Sequence, residues 1–303
     1  MSIIFKKNRI FMTNKINAKP FVKWVGGKTG LIPTIERMLP GNVNAGQVTY
    51  VEPFVGGGAF LFHMLKFHSF KDVYINDINL PLTDCYRMFQ NTALYNEFIQ
   101  RLTTFEDMYN NASDKEKIYY QLRDQFNDRL GMNNLVPSPL CSALFVFLNK
   151  TCFNGLYRTN KKGKYNVPWG KKNEITLYDK DLFDADMSVL HDVKVSTRDF
   201  GFIEKFKGEN VFVYLDPPYV PEKKESFTSY SPLGFTMEDQ VRLRDVCDKL
   251  TANGVKVMQS NSLTPEIKEL YKGYNIKEVS APRSISANGD GRGQVIEALI
   301  TNY

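Results

Sequence analysis

At 214–220 the chain reads YLDPPYV, a combination of residue types suited to one kind of chemistry. Consecutive prolines fix the backbone and donate no N–H, so the Pro217 carbonyl can be aimed outward beside the Asp216 carboxylate. Two acceptors and the flat ring of Tyr219 suit an exocyclic amine on a planar base, one acceptor per N–H with the ring stacked above. A rigid Asp-Pro-Pro turn with a structural tyrosine, held in part by Pro218, is the plainer alternative. A second stretch, PFVGGGAF at 53–60, follows the strand-like QVTYVE and precedes the helical LFHMLKF. Glycines at a strand's C-terminal end, opening a helix, let a ligand approach the backbone. Asp77, closing DVYIND about twenty positions on, stands where a ribose-binding acid is expected. The pair points to an adenosine-containing ligand, a dinucleotide or S-adenosylmethionine. DPPY breaks that tie, because a nicotinamide enzyme would leave it without purpose.

The third stretch, FVKWVGGKTG at 21–30, contains a GKT. A nucleotide-triphosphatase loop needs a glycine five positions before Gly27, where this chain has the branched Val22. The P-loop reading fails, and Lys28 needs another partner. From Lys150 to Lys180 the chain carries Lys150, Arg158, Lys161, Lys162, Lys164, Lys171, Lys172 and Lys180, opposed only by Glu174 and Asp179. Phe153, Tyr157, Tyr165 and Trp169 are interleaved, with Asn154, Asn160 and Asn166 among them. A solvated basic loop would not need the rings. Charge for phosphates, amides for hydrogen bonds and rings for stacking favour nucleic acid.

These residues need a scaffold. Short β-branched runs at 47–52, 72–76, 193–197, 210–215 and 254–259 alternate with helical patterns such as 237–250 and 264–271. That alternation predicts an α/β core with a mostly parallel sheet covered on both faces. From Leu80 to about Lys150 the periodicity is helical, with polar breaks near Asn110 and Gly131. The turn-rich FNGLYRTNKKGKYNVPWG follows, with NKKGK as a hairpin tip. The expected plan is a leader over 1–19, a core over 20–81 and 193–303, and a mainly helical insert over 82–192 ending in a basic β-hairpin at about 153–171. With 303 residues, 43% of them apolar, the chain can bury a large core, and its net charge of +6 is modest. No run approaches the ~20 apolar residues of a membrane span. The N-terminus lacks a signal-peptide core and reads as a polar leader, with Met12 as a second candidate start. The four cysteines form no CxxC and the three histidines do not cluster with them, which predicts reduced thiols and no zinc site.

FVKWVGGK, VEPFVGGGAF, NDIN, FNGLYR…YNVPWG, DPPY, SFTSY and RSISANG…R stand in the order found in Dam-type DNA adenine-N6 methyltransferases. The resemblance runs from about Pro20 to Tyr303 and matches the motif order of that family's alpha group. It implies a Rossmann-like core, S-adenosylmethionine as methyl donor, no metal, and double-stranded DNA as substrate. By the same resemblance Trp24, Lys28, Phe54, Gly56, Gly58, Asp77, Asp199 and Phe200 contact the cofactor, Lys28 near its carboxylate, with Asp216 close to the methionine moiety. Asp216, Pro217, Pro218 and Tyr219 would serve the transfer itself. Lys23 would read the first guanine, Phe153 would wedge into the duplex and Asn154 would compensate for the vacated base. Phe153 departs from the tyrosine usual there and loses a hydroxyl. Leu156 and Pro168 would press on thymine methyls and Arg158 would read guanine. Asn160, Asn166 and Lys171 would contact phosphates. The retained Lys23, Leu156, Arg158 and Pro168 imply GATC, with another GAT-containing site or RNA as the alternative. The resemblance further implies a prokaryotic or phage-type cytoplasmic enzyme, monomeric, with a restriction endonuclease as a candidate functional partner.

Overall fold

The computed structural model describes residues 17–130, 137–219, 234–282 and 294–303. Seven strands form one sheet: β1 (Thr49–Glu52), β2 (Asp72–Asn76), β3 (Lys194–Ser196), β4 (Val211–Leu215), β5 (Lys256–Ser262), β6 (Asn275–Pro282) and β7 (Gln294–Thr301). Their order is β3-β2-β1-β4-β5-β7-β6. The first five are parallel, and β7 runs antiparallel between β5 and β6. β4, VFVYL, is buried along its whole length, as a central parallel strand covered on both faces must be. The strand order reverses between β1 and β4, so the loops leaving those two strands flank a crevice at the sheet's carboxyl edge.

The five strands expected from β-branched runs all form. The last two were not anticipated: VIEALI contains good helix formers, and only insertion beside β5 makes it a strand. The flanking helices are α1 (Ile32–Glu36), α2 (Ala59–Phe67), α3 (Leu80–Met88) and, after an insert, α8 (Met237–Ala252) and α9 (Pro265–Leu270). α8 starts on a reciprocal cap, Thr236 accepting from Asp239 N–H and Asp239 accepting from Thr236 N–H.

Between α3 and β3, in the segment expected as an insert, the chain forms α4 (Thr92–Asn110), α5 (Lys115–Leu130), α6 (Pro139–Thr151) and α7 (Lys180–Leu190). α6 is buried on nearly every face, which suits its apolar PLCSALFVFL and lets it act as the insert's axis. One apolar cluster runs without a break from Tyr50 and Phe60 in the core to Phe98 and Phe147 in the insert.

Between α6 and α7 the structure departs from the expected β-hairpin. Only two isolated antiparallel bridges form, Cys152 with Trp169 and Thr159 with Tyr165. Backbone groups of Tyr165 and Val167 turn instead to side chains of α5. Asn127 bonds both N–H and carbonyl of Tyr165 (2.7 and 3.0 Å), and Tyr119 donates to the Val167 carbonyl (2.7 Å). The NKKGK tip does fold back, Asn160 N–H donating to the Lys164 carbonyl at 2.8 Å. SFTSY, RSISANG and all but the end of the leader lie outside the described residues.

Candidate active site

At the carboxyl end of β4, Asp216 is half-buried and meets Lys28, whose Nζ lies 3.1 Å from Asp216 Oδ1. Lys28 is only 8% exposed and also stands 3.7 Å from Glu297 of β7 and 4.3 Å from the centre of the Tyr219 ring. Tyr219 donates its hydroxyl to Glu297 Oε2 at 2.6 Å. One cation therefore serves two carboxylates and an aromatic face. Burial raises the Asp216 carboxyl to about 6, with Lys28 opposing that rise, so the group is ionised at neutral pH. Below it, Glu52 at the end of β1 is almost fully buried and accepts from Tyr50 at 2.6 Å, and burial pushes its carboxyl well up.

The prolines are held as their sequence suggests. Gln240 donates to the Pro218 carbonyl at 3.1 Å, and Asn261 fixes Gln240 from behind at 3.0 Å. Among the described residues no donor meets the Pro217 carbonyl, which stays an open acceptor one residue from Asp216.

Across the crevice the glycine turn leaves β1. Gly56 and Gly58 have φ of +50° and +77°, left-handed values that favour glycine. Close packing adds a second demand. A Cβ on Gly56 would stand 2.8 Å from the Trp24 ring, and one on Gly57 2.7 Å from Trp24 Cβ. Trp24 therefore lies directly on the turn, stacked against Tyr157 of the insert at 6.1 Å. Asp77, at the end of β2, accepts from Gly56 N–H (3.1 Å) and Asn79 N–H (2.9 Å), one on each oxygen. Ile78 N–H also points at this carboxylate, which with about four acceptor positions still has room for a hydroxyl. Burial raises this carboxyl to about 6 as well.

Phe54, Phe200 and Phe235 pack together at 5.6–5.9 Å beside the crevice. Asp199 is committed to Arg242 through two bonds of 2.7 and 2.8 Å, with Arg242 lying 3.9 Å over the Phe200 ring. Asn76 was not expected to matter, yet its buried amide joins Pro53 O, Arg198 N and O, and Ser196. It ties together the loops leaving β1 and β3.

Residues 24–285 match the family model described as D12 class N6 adenine-specific DNA methyltransferase. The chain belongs to that family. It is 40% identical to the type II methyltransferase M.MjaIII of Methanocaldococcus jannaschii, over 95% of this chain and all of that one. It is 37% identical to the type II methyltransferase M1.LlaDCHI of Lactococcus lactis subsp. cremoris, over 97% and 99% of the two chains. The DNA adenine methylase of Vibrio cholerae is 33% identical over 93% and 95%. The protein is an adenine-specific DNA methyltransferase, and its family implies S-adenosylmethionine as donor. Among the described residues no helix is long and apolar enough to cross a membrane.

The methyltransferase's remaining expected residues are Lys23, next to Trp24 in sequence, and those of the segment 153–171. Lys23 is exposed, while its backbone is clamped by the buried Asn149 of α6: Lys23 N–H donates to Asn149 Oδ1 (2.8 Å) and Asn149 Nδ2 to Lys23 O (2.7 Å). The same Nδ2 reaches Gly155 O at 3.1 Å. Lys23 is thus fixed against the FNG turn, which presents Phe153, 52% exposed, and Asn154 with φ of 56°. Asn149 had no signal in the sequence beyond a polar residue closing an apolar helix.

Arg158 is exposed, and Asn166 holds it through Nε (2.8 Å to Oδ1) and Nη2 (3.3 Å to the backbone carbonyl). Asn160 spends its side-chain oxygen on the N–H groups of Lys162 and Lys164, at 2.9 and 3.1 Å, and so shapes the tip. Leu156 is half-buried, whereas Pro168 and Lys171 are exposed, Lys171 with φ of 54°. Glu297 was also missed. It lies some eighty residues beyond DPPY and reaches the site only because β7 places it opposite Ser262 of β5.

Proposed function

We propose that this methyltransferase moves the methyl group of S-adenosylmethionine to N6 of an adenine rotated out of duplex DNA, within GATC. The observation that carries the reading is the pairing of an ionised, half-buried Asp216 with the open carbonyl of Pro217. S-adenosylmethionine supplies an electrophilic methyl on its sulfonium. Asp77 fits its ribose, having acceptor capacity beyond its backbone bonds, and Phe54 with Phe200 offers an apolar wall for its adenine.

The chain's own contribution is to make a poor nucleophile adequate. Unstacking the target base costs a few kcal/mol, recovered in a pocket shaped to the extruded ring. The amino lone pair of adenine is delocalised, and acceptance of its two hydrogens by Asp216 and Pro217 O draws the nitrogen toward a pyramidal shape. Positive charge grows there as the new C–N bond replaces the methyl–sulfur bond, so the carboxylate binds the transition state better than the ground state, and one N6 proton then leaves to solvent. Tyr219, fixed by Glu297 through its hydroxyl, offers its ring for stacking. Lys28 acts mainly as the counter-charge to Asp216 in this reading, and only secondarily on the cofactor.

On the surface, Lys23 and Arg158 read guanines, Leu156 and Pro168 meet thymine methyls, and Phe153 with Asn154 fills the opened duplex. Asn166 orients Arg158, and Asn160 and Lys171 act on phosphates or on the tip that bears them. The segment α4 to α7 forms the recognition insert, since α3 (Leu80–Met88) runs through the expected boundary at residue 82, and the enzyme works as a monomer. Two relatives carry type II methyltransferase names, which supports pairing with a restriction endonuclease.

The test is direct sequencing for N6-methyladenine in a plasmid from a methylase-deficient host expressing the chain. Methylation of adenine confined to GATC is expected, and Asp216→Ala should abolish it. Modification at a different GAT-containing site, or of RNA alone, would overturn the specificity assigned here.

A further inference from the structure

We propose that Glu36, His63 and His68 form a binding site for a divalent transition-metal ion of the zinc type, away from the methyl-transfer residues. Their ligating atoms lie within 4.8 Å of one another. His63 Nε2 is 2.7 Å from Glu36 Oε2, and His68 Nε2 is 3.0 Å from Glu36 Oε1. Two imidazoles and a carboxylate are a borderline-soft donor set that suits zinc or cobalt. A tetrahedral ion with bonds of about 2.0–2.1 Å needs ligand atoms about 3.3 Å apart, so each histidine must move off Glu36 by roughly half an ångström or less.

The surroundings have the form of a built site. His68 Nδ1 stands 2.5 Å from Asn44 Oδ1, an acceptor. With an ion bound, that contact would hold the ring hydrogen on Nδ1 and leave Nε2, which already faces Glu36, to ligate, the outer contact a metal-bound histidine needs. The His63 ring is held between Phe60 (6.1 Å) and Phe67 (4.8 Å). The histidine side chains are 4% and 16% exposed, while Glu36 at 37% faces solvent and leaves room for water as a further ligand.

The location gives the ion a purpose. Glu36 ends α1, the helix just after Lys28, and His63 lies on α2, which opens on Gly58. An ion shared by both helices would brace the two segments that carry Lys28 and the glycine turn. The spacing from 36 to 63 to 68 matches no ligand motif, because the site closes across two helices.

The experiment uses the full, untagged chain with cobalt(II) as the spectroscopic probe. A single saturable equivalent is expected, with visible bands of a four- or five-coordinate ion and no thiolate-to-cobalt band in the near ultraviolet. Zinc should displace the cobalt and raise Tm, and magnesium should do neither. His68→Ala should abolish binding, and Glu36→Gln should weaken it strongly while keeping size and hydrogen-bonding capacity. Asn44→Ala, which removes an outer contact of His68 but no ligand atom, should weaken it about 10–100-fold and leave methyl transfer unchanged at saturating zinc. Absence of saturable binding, a thiolate band, or unchanged binding in folded Glu36→Gln would overturn the proposal. The readouts do not depend on DNA methylation, so they stand apart from the methyl-transfer reading.

Discussion

Lys28 and Asp216 form a partly buried ion pair, Nζ to Oδ1 3.1 Å, that joins the FVKWVGGK segment to the DPPY motif. The pair makes a pH prediction. Burial raises the Asp216 carboxyl to about 6 and Lys28 holds it down, so removing Lys28 must raise it further. The acceptor works only when ionised. Wild-type kcat should therefore fall as pH drops through about 6. Lys28→Gln should move that acid limb upward, lose activity at neutral pH and regain part of it under alkaline conditions. Single-turnover rates across pH test this. An unmoved limb with weakened S-adenosylmethionine affinity would assign Lys28 to the cofactor instead.

Asp216→Asn separates chemistry from stability. Loss of one preorganised electrostatic partner should lower kcat by at least about two orders of magnitude. DNA affinity at fixed salt should change little, since phosphate contacts dominate it. Stability should move the other way. The folded carboxyl lies near 6 against an ordinary 3.8, so the folded state holds its proton more tightly than the unfolded chain. Between those values stability falls as pH rises, and above them the ionised carboxylate is a standing penalty. The neutral amide removes it, so Tm at pH 7 should equal or exceed wild type. A clear fall in Tm, or an equal loss of DNA affinity, would make Asp216 structural.

Much of this was legible in the sequence for a physical reason. Buried parallel strands are short β-branched runs, and their carboxyl ends carry the ligand residues, so Gly56, Asp77 and Asp216 could be placed at one edge before any contact was known. The residues that escaped act across the chain. Glu297 depends on the antiparallel entry of β7, Asn149 on the seam between insert and core, and Asn76 on two loops meeting. Roles of individual residues in the basic segment came from the resemblance, which does not show that Asn166 holds Arg158 or that Asn160 caps its own turn.

That contact sharpens the specificity test. Arg158→Ala should relax discrimination at one guanine by about 1–3 kcal/mol, the worth of a bidentate contact. Asn166→Ala keeps the arginine and loses its support, so it should relax the same position by less. Lys161→Ala and Lys162→Ala should alter only affinity and its salt dependence. Methylation rates on duplexes with each single-base change provide the readout. Uniform loss over all sites would reduce Arg158 to a phosphate contact.

Asn149 gives the last prediction. Its amide accepts from Lys23 N–H and donates to the carbonyls of Lys23 and Gly155, at 2.8, 2.7 and 3.1 Å, inside a site almost closed to water. Lys23 directly precedes Trp24, which covers the glycine turn, while Gly155 belongs to the turn that presents Phe153. One side chain thus sets the positions of Trp24 and Phe153 together, the proposed cofactor cover and DNA wedge. Asn149→Ala leaves buried backbone groups unpaired, at about 1–3 kcal/mol each, and should lower Tm by several degrees. Asn149→Asp keeps the shape and the bond from Lys23 N–H but loses both donated bonds. Asn149→Asp should therefore bind duplex DNA and S-adenosylmethionine separately with modest loss, yet show a larger deficit when both are present. Calorimetry of each ligand alone, then with the other saturating, measures that coupling. Equal losses in every titration would reduce Asn149 to a structural amide that supports neither site in particular.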